Sequence, residues 1–178
     1  MGAASKVLLV VLRIWQLICS LIVLGILARF LHLLSDAGAT RDGRIVYGII
    51  AASISTVFAI VFIAPFMYSF LAFPADFALF IMWLVLFCLL ITRTGVNTCS
   101  SPWFYNYWGY YWGGWWNKPF YVDGPADIAY SGCNHWRTVL AFSFLALFGF
   151  LVSTFLGAYV VWKWWTKKGT DRHAGTAR

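Results

Sequence analysis

The chain has 178 residues, of which 62% are apolar and 11% are charged, and its formal net charge is +7. Soluble domains carry roughly 25% charged residues, so this composition excludes an ordinary soluble globular protein. It favours a protein that lies largely within a membrane.

Four hydrophobic runs occupy residues 7–29, 45–67, 70–92 and 138–162. Each exceeds the ~20 residues that a helix needs to cross the hydrocarbon layer, and a spanning segment must satisfy its own backbone hydrogen bonds. The length of the first run and the charge inside it argue against a cleaved signal peptide. We predict an all-α membrane protein, a four-transmembrane-helix bundle formed by residues 1–165. External loops are expected at 30–44 and 93–137, and a disordered basic tail at 166–178.

Four spans place both termini on one side of the membrane, but the basic residues are divided seven to six between the two sides and barely decide the orientation. Cys99 and Cys133 lie near the two ends of the second loop. A disulfide between them would stabilise the loop by roughly 3–4 kcal/mol and would persist only in an oxidising compartment. We therefore expect cytosolic termini, with two unrelated thiols as the alternative. A metal site made by these cysteines and His135 falls short of the usual four zinc ligands.

Arg13 and Asp76 lie inside the first and third spans, which run in the same direction. An intramembrane charge costs at least ~2.5 kcal/mol, so each should have a partner. Counted from the span starts at about 1.5 Å per residue, both lie roughly 9–10 Å deep. We predict an Arg13–Asp76 ion pair, with Gln16 as an additional hydrogen-bond partner. A role in fixing helix register is favoured over a proton pathway, because the rest of the third span has no polar relay.

Small residues recur at three- and four-residue steps in the second and fourth spans. In lipid, close backbone approach at such positions carries helix packing. We expect these seams to pack within the bundle, and contact with another protomer is the alternative. The seam residues are Gly48, Ala52, Ser55, Gly149, Ser153 and Gly157.

The second loop contains the stretch NYWGYYWGGWWNKPFY at 106–121, in which nine residues are aromatic and Lys118 is the single charge. Trp and Tyr prefer the headgroup region, so one interpretation is a loop that lies flat on the outer leaflet. The alternatives are a docking surface for a protein partner or a second copy, and stacking on sugars. Nucleic acid is not expected at a site with one positive charge. The residues assigned to this surface are Trp108, Tyr110, Tyr111, Trp112, Trp115, Trp116, Phe120 and Tyr121.

The fourth span ends in the stretch WKWWTKKG, which combines aromatic and basic residues. Such a combination is typical of a membrane–water interface, and basic residues near an anionic leaflet add about 1 kcal/mol each. We predict a cytosolic anchor here, with recruitment of lipid or a coat protein as the more speculative interpretation. Its residues are Trp162, Lys163, Trp164, Trp165, Lys167 and Lys168.

No catalytic motif is evident in the sequence. The chain has no Glu, no CxxC, no His pair at ligand spacing, no GxSxG and no glycine-rich phosphate loop. We therefore expect a protein that is not an enzyme and that uses no cofactor.

Two short stretches resemble MARVEL-domain proteins, particularly the fungal plasma-membrane members associated with eisosomes or non-classical export. The first is LRIWQLICSLIVLGI, with Arg13, Gln16 and Gly25, and the second is ADFALFIMW, with Asp76 and Trp83. The paired cysteines of the second loop and the small residues of the fourth span fit the same family. The resemblance implies a four-helix protein of membrane apposition, lipid-domain organisation or vesicle traffic.

The sequence and this resemblance together predict a non-enzymatic integral membrane organiser of lipid domains or membrane trafficking. It would act through lateral association, as a homo-oligomer or with a larger membrane protein, and through contact with lipids such as sterol or sphingolipid. The plasma membrane is the expected location, and an endomembrane is the alternative. The alternative function is an accessory subunit of a larger membrane transporter or synthase, docking through the aromatic loop.

Overall fold

A computed structural model describes residues 3–63, 73–95, 99–117 and 132–176, with the backbone alone described at 3–6, 164 and 167–176. Every regular element in these ranges is helical. The long helices are α1 (Ala3–Asp36), α2 (Gly43–Val61), α3 (Phe73–Thr94) and α5 (Cys133–Thr176). Between α3 and α5 lie a π-helical turn (Phe104–Trp108), the short helix α4 (Gly109–Trp112) and a 3-10 turn (Trp115–Asn117).

Within the described ranges, four helices are long and apolar enough to cross a membrane, which confirms the predicted four-helix architecture. Their candidate spans are Val7–Asp36, Gly43–Val61, Phe73–Thr94 and Cys133–Lys163. Helices suit this environment because each satisfies its own backbone hydrogen bonds where no water is present. The end of the bundle that holds the start of α1 and the end of α5 is called here the termini end, and the opposite end is the loop end.

The connections at the loop end are more ordered than the sequence indicated. α1 continues to Asp36 and is closed by Gly38, whose φ of 63° suits glycine, and by a hydrogen bond from Ala39 N to Leu34 O. Asp42 then caps α2 by accepting a hydrogen bond from Arg44 N at 3.0 Å. The predicted first loop at 30–44 is therefore mostly helix.

The ends of α2 and α5 also differ from the boundaries predicted from the sequence. α2 ends at Val61, and the tight turn expected between the second and third spans falls outside the described residues. α5 continues to Thr176 without stopping at the boundary predicted near 165. Extending an existing helix avoids the unfavourable nucleation step, so a polar segment can continue a helix that it would not start alone.

The small-residue seam of α2 faces its own bundle. Gly48, Ala52 and Ser55 are buried, and a Cβ at Gly48 would lie only 2.6 Å from Leu27 Cδ1 of α1. The hydroxyl of Ser55 accepts a hydrogen bond of 2.9 Å from the indole of Trp83 on α3. Close approach at small residues thus brings α2 against both α1 and α3.

Candidate functional site

A cluster of four buried polar side chains, Arg13, Gln16, Asp76 and Ser153, lies inside the bundle and is called here the polar cluster. Arg13 and Gln16 come from α1 and lie one helical turn apart, Asp76 belongs to the first turn of α3, and Ser153 belongs to α5. All four are at most 4% exposed. Three separate spans therefore meet at one polar point within an apolar core.

The guanidinium of Arg13 forms a bidentate ion pair with the carboxylate of Asp76. Nη1 and Nη2 of Arg13 donate to Oδ1 and Oδ2 of Asp76 at 2.5 and 2.7 Å. The carboxylate also accepts a hydrogen bond of 2.9 Å from Ser153 Oγ. Parallel bonds of this kind add geometric specificity to the charge attraction, so the pair holds α1 and α3 in one register.

Gln16 extends the polar cluster to the backbone of α5. Its Oε1 accepts from Arg13 Nη1 at 2.8 Å, and its Nε2 donates to the carbonyl of Gly149 at 3.2 Å. The fourth span, α2, contributes Phe58, whose ring centroid lies 4.8 Å from Arg13 Cζ. The ring face attracts the cation, although Nε of Arg13 has no hydrogen-bond partner among the described residues. The polar cluster therefore contacts all four spans.

This geometry bears on the roles that the sequence suggested. The structure brings Arg13, Asp76 and Gln16 together, and it adds two groups that sequence reasoning missed. The sequence places Ser153 in a packing seam, and its hydroxyl is the signal that it can also form a hydrogen bond with a nearby charge. Phe58 carried no signal, because a ring that faces a cation looks like any other apolar span residue.

At the loop end, aromatic rings pack against each other across the end of the helix bundle. This group is called here the aromatic cap. Trp108 lies at its centre, fully buried, with ring centroids 4.2 Å from Phe30, 5.3 Å from Trp112 and 4.7 Å from Trp136. Such ring pairs add about 0.5–1.5 kcal/mol beyond the area they bury. The remaining members are Trp103, Tyr107 and Tyr111.

Hydrogen bonds and a disulfide fasten the aromatic cap to the helix ends. The indole of Trp108 donates to the carbonyl of Gly132 at 3.0 Å, and Trp136 donates to Thr94 Oγ1 at 3.0 Å. Cys99 and Cys133 form a disulfide with a Cα–Cα distance of 5.7 Å, so these thiols are joined to each other and not available as metal ligands. The cap is thereby linked to both α3 and α5.

The cap also contacts the short connection between α1 and α2. The hydroxyl of Tyr107 donates to the carbonyl of Thr40 at 2.8 Å and accepts from Asp42 N at 3.0 Å. Burial raises the pKa of Tyr107 above its ordinary value of 10.0, because the phenolate would lose its hydration. Asp42 in turn pairs with Arg93 at 3.2 Å.

These contacts correct the assignment of Trp108 to a surface that lies on the leaflet or docks a partner. Trp108 is turned into the protein and cannot contact an outside partner, since its neighbours Phe30 and Trp136 cover it. The residues that stay partly exposed are Tyr110, Tyr111, Trp112, Trp115 and Trp116, whereas Phe120 and Tyr121 lie outside the described residues.

The other predicted positions are distributed over the bundle. Gly149 lies buried beneath Trp15, whose indole carbon Cδ1 would be 3.0 Å from a Cβ at that position, and Gly157 is also buried. At the termini end, Trp162, Lys163 and Trp165 are exposed, whereas the side chains of Trp164, Lys167 and Lys168 are not described. Across the described part of the chain, no group of three His, Cys, Asp or Glu residues could hold a metal ion.

Comparison with protein families identifies the domain. The family model of MARVEL, described as a membrane-associating domain, matches residues 6–156. That range covers most of the chain and contains the polar cluster, the aromatic cap and the disulfide. Comparisons with curated proteins and with solved structures give no match. The chain therefore belongs to the MARVEL family and is an integral, multi-pass membrane protein.

Proposed function

We propose that this protein is a non-enzymatic organiser of membrane domains that works through lateral association of its copies and through lipid contact. The observation that carries the proposal is the separation of chemistry between the inside and the outside of the bundle. The buried charges of Arg13 and Asp76 pair with each other in the polar cluster, and most of the large side chains exposed along α1, α2 and α3 are apolar. With its buried charges paired, the protein interacts with lipids and with other proteins through the apolar outer faces of its helices.

The outward face of α5 differs in kind from the faces of the other three spans. Among the exposed large hydrophobic side chains, those on α2 are all aliphatic, whereas those on α5 are all aromatic. The exposed α5 residues are Phe144, Phe148, Phe155, Tyr159, Trp162 and Trp165. At about 100° per residue, the first five lie within roughly 60° of each other around the helix, so they form a narrow stripe along the span. This set is called here the α5 stripe.

The α5 stripe is suited to contact with a second copy of the chain. Two copies inserted in the same direction are related by an axis along the membrane normal, so equivalent residues meet at the same depth. Rings such as Phe148 and Phe155 would then face their own equivalents, and aromatic pairs add about 1 kcal/mol each. In lipid, where the hydrophobic effect does not drive helices together, such packing supplies the attraction.

The alternative function, an accessory subunit that docks through the aromatic loop, has weaker support. The centre of that loop, Trp108, packs within the chain. The partly exposed rings of Trp115 and Trp116 leave a smaller surface than the sequence suggested. Contact with sterol or sphingolipid and a plasma-membrane location stay predictions from the sequence.

The experiment is native mass spectrometry after gentle extraction from the source membrane, together with a variant of the α5 stripe. We expect a homo-oligomer with bound lipid for the unchanged chain. Replacing Phe148, Phe155 and Tyr159 by leucine removes three ring pairs and should weaken self-association about a hundredfold. The matched control replaces Ile50, Ile54 and Ile60 of α2 by leucine and should leave association unchanged.

Two results would contradict the proposal. One is a monomer that retains no lipid. The other is a fixed stoichiometry with a larger foreign subunit, which would support the accessory-subunit function.

A further inference from the structure

We infer that the termini end of the bundle is a binding surface for anionic phospholipid headgroups, centred on Lys163, which lies along α5 between the exposed residues Trp162 and Trp165. This inference deepens the proposed function, on which it rests, by naming the class of lipid that the protein gathers. The occupant is the headgroup of a bilayer lipid and not a soluble anion, because the site lies at the end of a membrane span.

The two ends of the bundle differ in their charge. The basic residues are divided almost evenly between the two ends in the sequence. Arg13 does not contribute to the charge of the termini end, because Asp76 neutralises it inside the bundle. That end still has six basic residues against one acidic residue, whereas the loop end has six against four. At the loop end Arg93 forms an ion pair with Asp42. Most of the uncompensated positive charge therefore lies at the termini end.

The two ends also differ in the exposure of their tryptophans. At the loop end, Trp108 and Trp136 are fully buried and serve the aromatic cap. At the termini end, Trp162 and Trp165 are 65% and 66% exposed. An indole that presents an apolar body and a polar N–H is suited to the headgroup region. The two rings thus place Lys163 at the depth where lipid phosphates lie.

The basic residues that follow Lys163 along α5 lie at different distances from it. The candidate span ends at Lys163, and the helix continues to Thr176. At about 1.5 Å per residue, Lys167 and Lys168 follow within roughly 8 Å of Lys163, whereas Arg172 lies roughly 14 Å beyond it. The Debye length at physiological salt is about 8 Å, so the three lysines act on the headgroups and Arg172 is largely screened.

The test uses the full chain in phosphatidylcholine vesicles that contain a minor share of phosphatidylserine. Electron spin resonance of spin-labelled phosphatidylserine and phosphatidylcholine gives the ratio of their association constants with the protein. We expect the ratio for the unchanged chain to exceed one and to fall at high salt. Lys163→Gln should lower it roughly fivefold, which corresponds to about 1 kcal/mol. The matched control Arg172→Gln should change it by less than about 1.5-fold.

The outcomes separate this inference from the proposed function. If Lys163→Gln leaves the preference for phosphatidylserine unchanged, the site is excluded and the inference is overturned. If both variants reduce the preference equally, it depends only on the total charge of the protein, and the inference is overturned as well. Self-association is measured in the same vesicles by energy transfer between labelled copies. Association without any preference for phosphatidylserine would leave the proposed function intact and overturn the inference alone. A preference without association would support the inference and contradict the lateral association on which the proposed function depends.

Discussion

The substitution Asp76→Asn tests whether the buried ion pair holds the four spans together. It removes the negative charge and leaves Arg13, which is 0% exposed, without a counter-ion. Removing one partner of a buried pair costs about 3–5 kcal/mol. The new amide oxygen can still accept one hydrogen bond, but the amide NH2 group would face the second guanidinium nitrogen, donor against donor. We therefore expect a loss of about 3 kcal/mol in the free energy of unfolding.

The assay is unfolding in mixed micelles, in which the fraction of SDS is raised and tryptophan fluorescence is followed. Asp76→Asn should unfold at a clearly lower SDS fraction than the unchanged chain. The control Ser153→Ala removes one hydrogen bond of 2.9 Å to the same carboxylate but keeps both charges. It should cost about 1.5 kcal/mol, the low end for a hydrogen bond to a charged group.

A double variant, Arg13→Met with Asp76→Leu, completes the experiment. Replacing both members of a buried ion pair by apolar residues is often nearly neutral, because the desolvation cost disappears together with the attraction. We expect the double variant to regain most of the stability that Asp76→Asn loses. Unchanged unfolding of Asp76→Asn would refute the reasoning, and a double variant less stable than Asp76→Asn would show that the charges do not act as a pair.

Three further predictions concern packing, the disulfide and pH. Gly48→Ala should destabilise the bundle by about 1 kcal/mol, because a Cβ there lies 2.6 Å from a leucine methyl, whereas Gly25→Ala should be nearly neutral because nothing lies within 4 Å. Thermal unfolding of the two variants side by side checks this, and equal effects would contradict the packing argument. Cys133→Ser should loosen the aromatic cap by roughly 3 kcal/mol, detected as faster proteolysis between α3 and α5 while the spans stay intact. The pKa of Tyr107 is raised above 10.0 in the folded protein, so its contribution to stability is complete below pH 10.0 and is lost as the pH rises through the higher folded-state value. Near-ultraviolet circular dichroism should show the cap opening in that alkaline range, and Tyr107→Phe should remove that pH dependence.

Several features of this protein follow from the sequence because they depend on length or depth alone. A run of more than about 20 apolar residues has few structures other than a helix available in lipid, so the four spans can be predicted without tertiary information. The fixed rise of about 1.5 Å per residue likewise places Arg13 and Asp76 at matching depths before any packing is known. The pairing of Cys99 with Cys133 depends on their lying at the two ends of one loop.

What only the tertiary structure decided is the direction in which side chains point. The aromatic stretch has the composition of an exposed surface, yet Trp108 points inward because Phe30 and Trp136, distant in sequence, provide the ring faces against which it packs. The same is true of Ser153, whose hydroxyl reaches Asp76 only because α5 packs against α3. Burial of a ring or a hydroxyl depends on partners brought together by helix packing, and spacing along one helix contains no information about those partners.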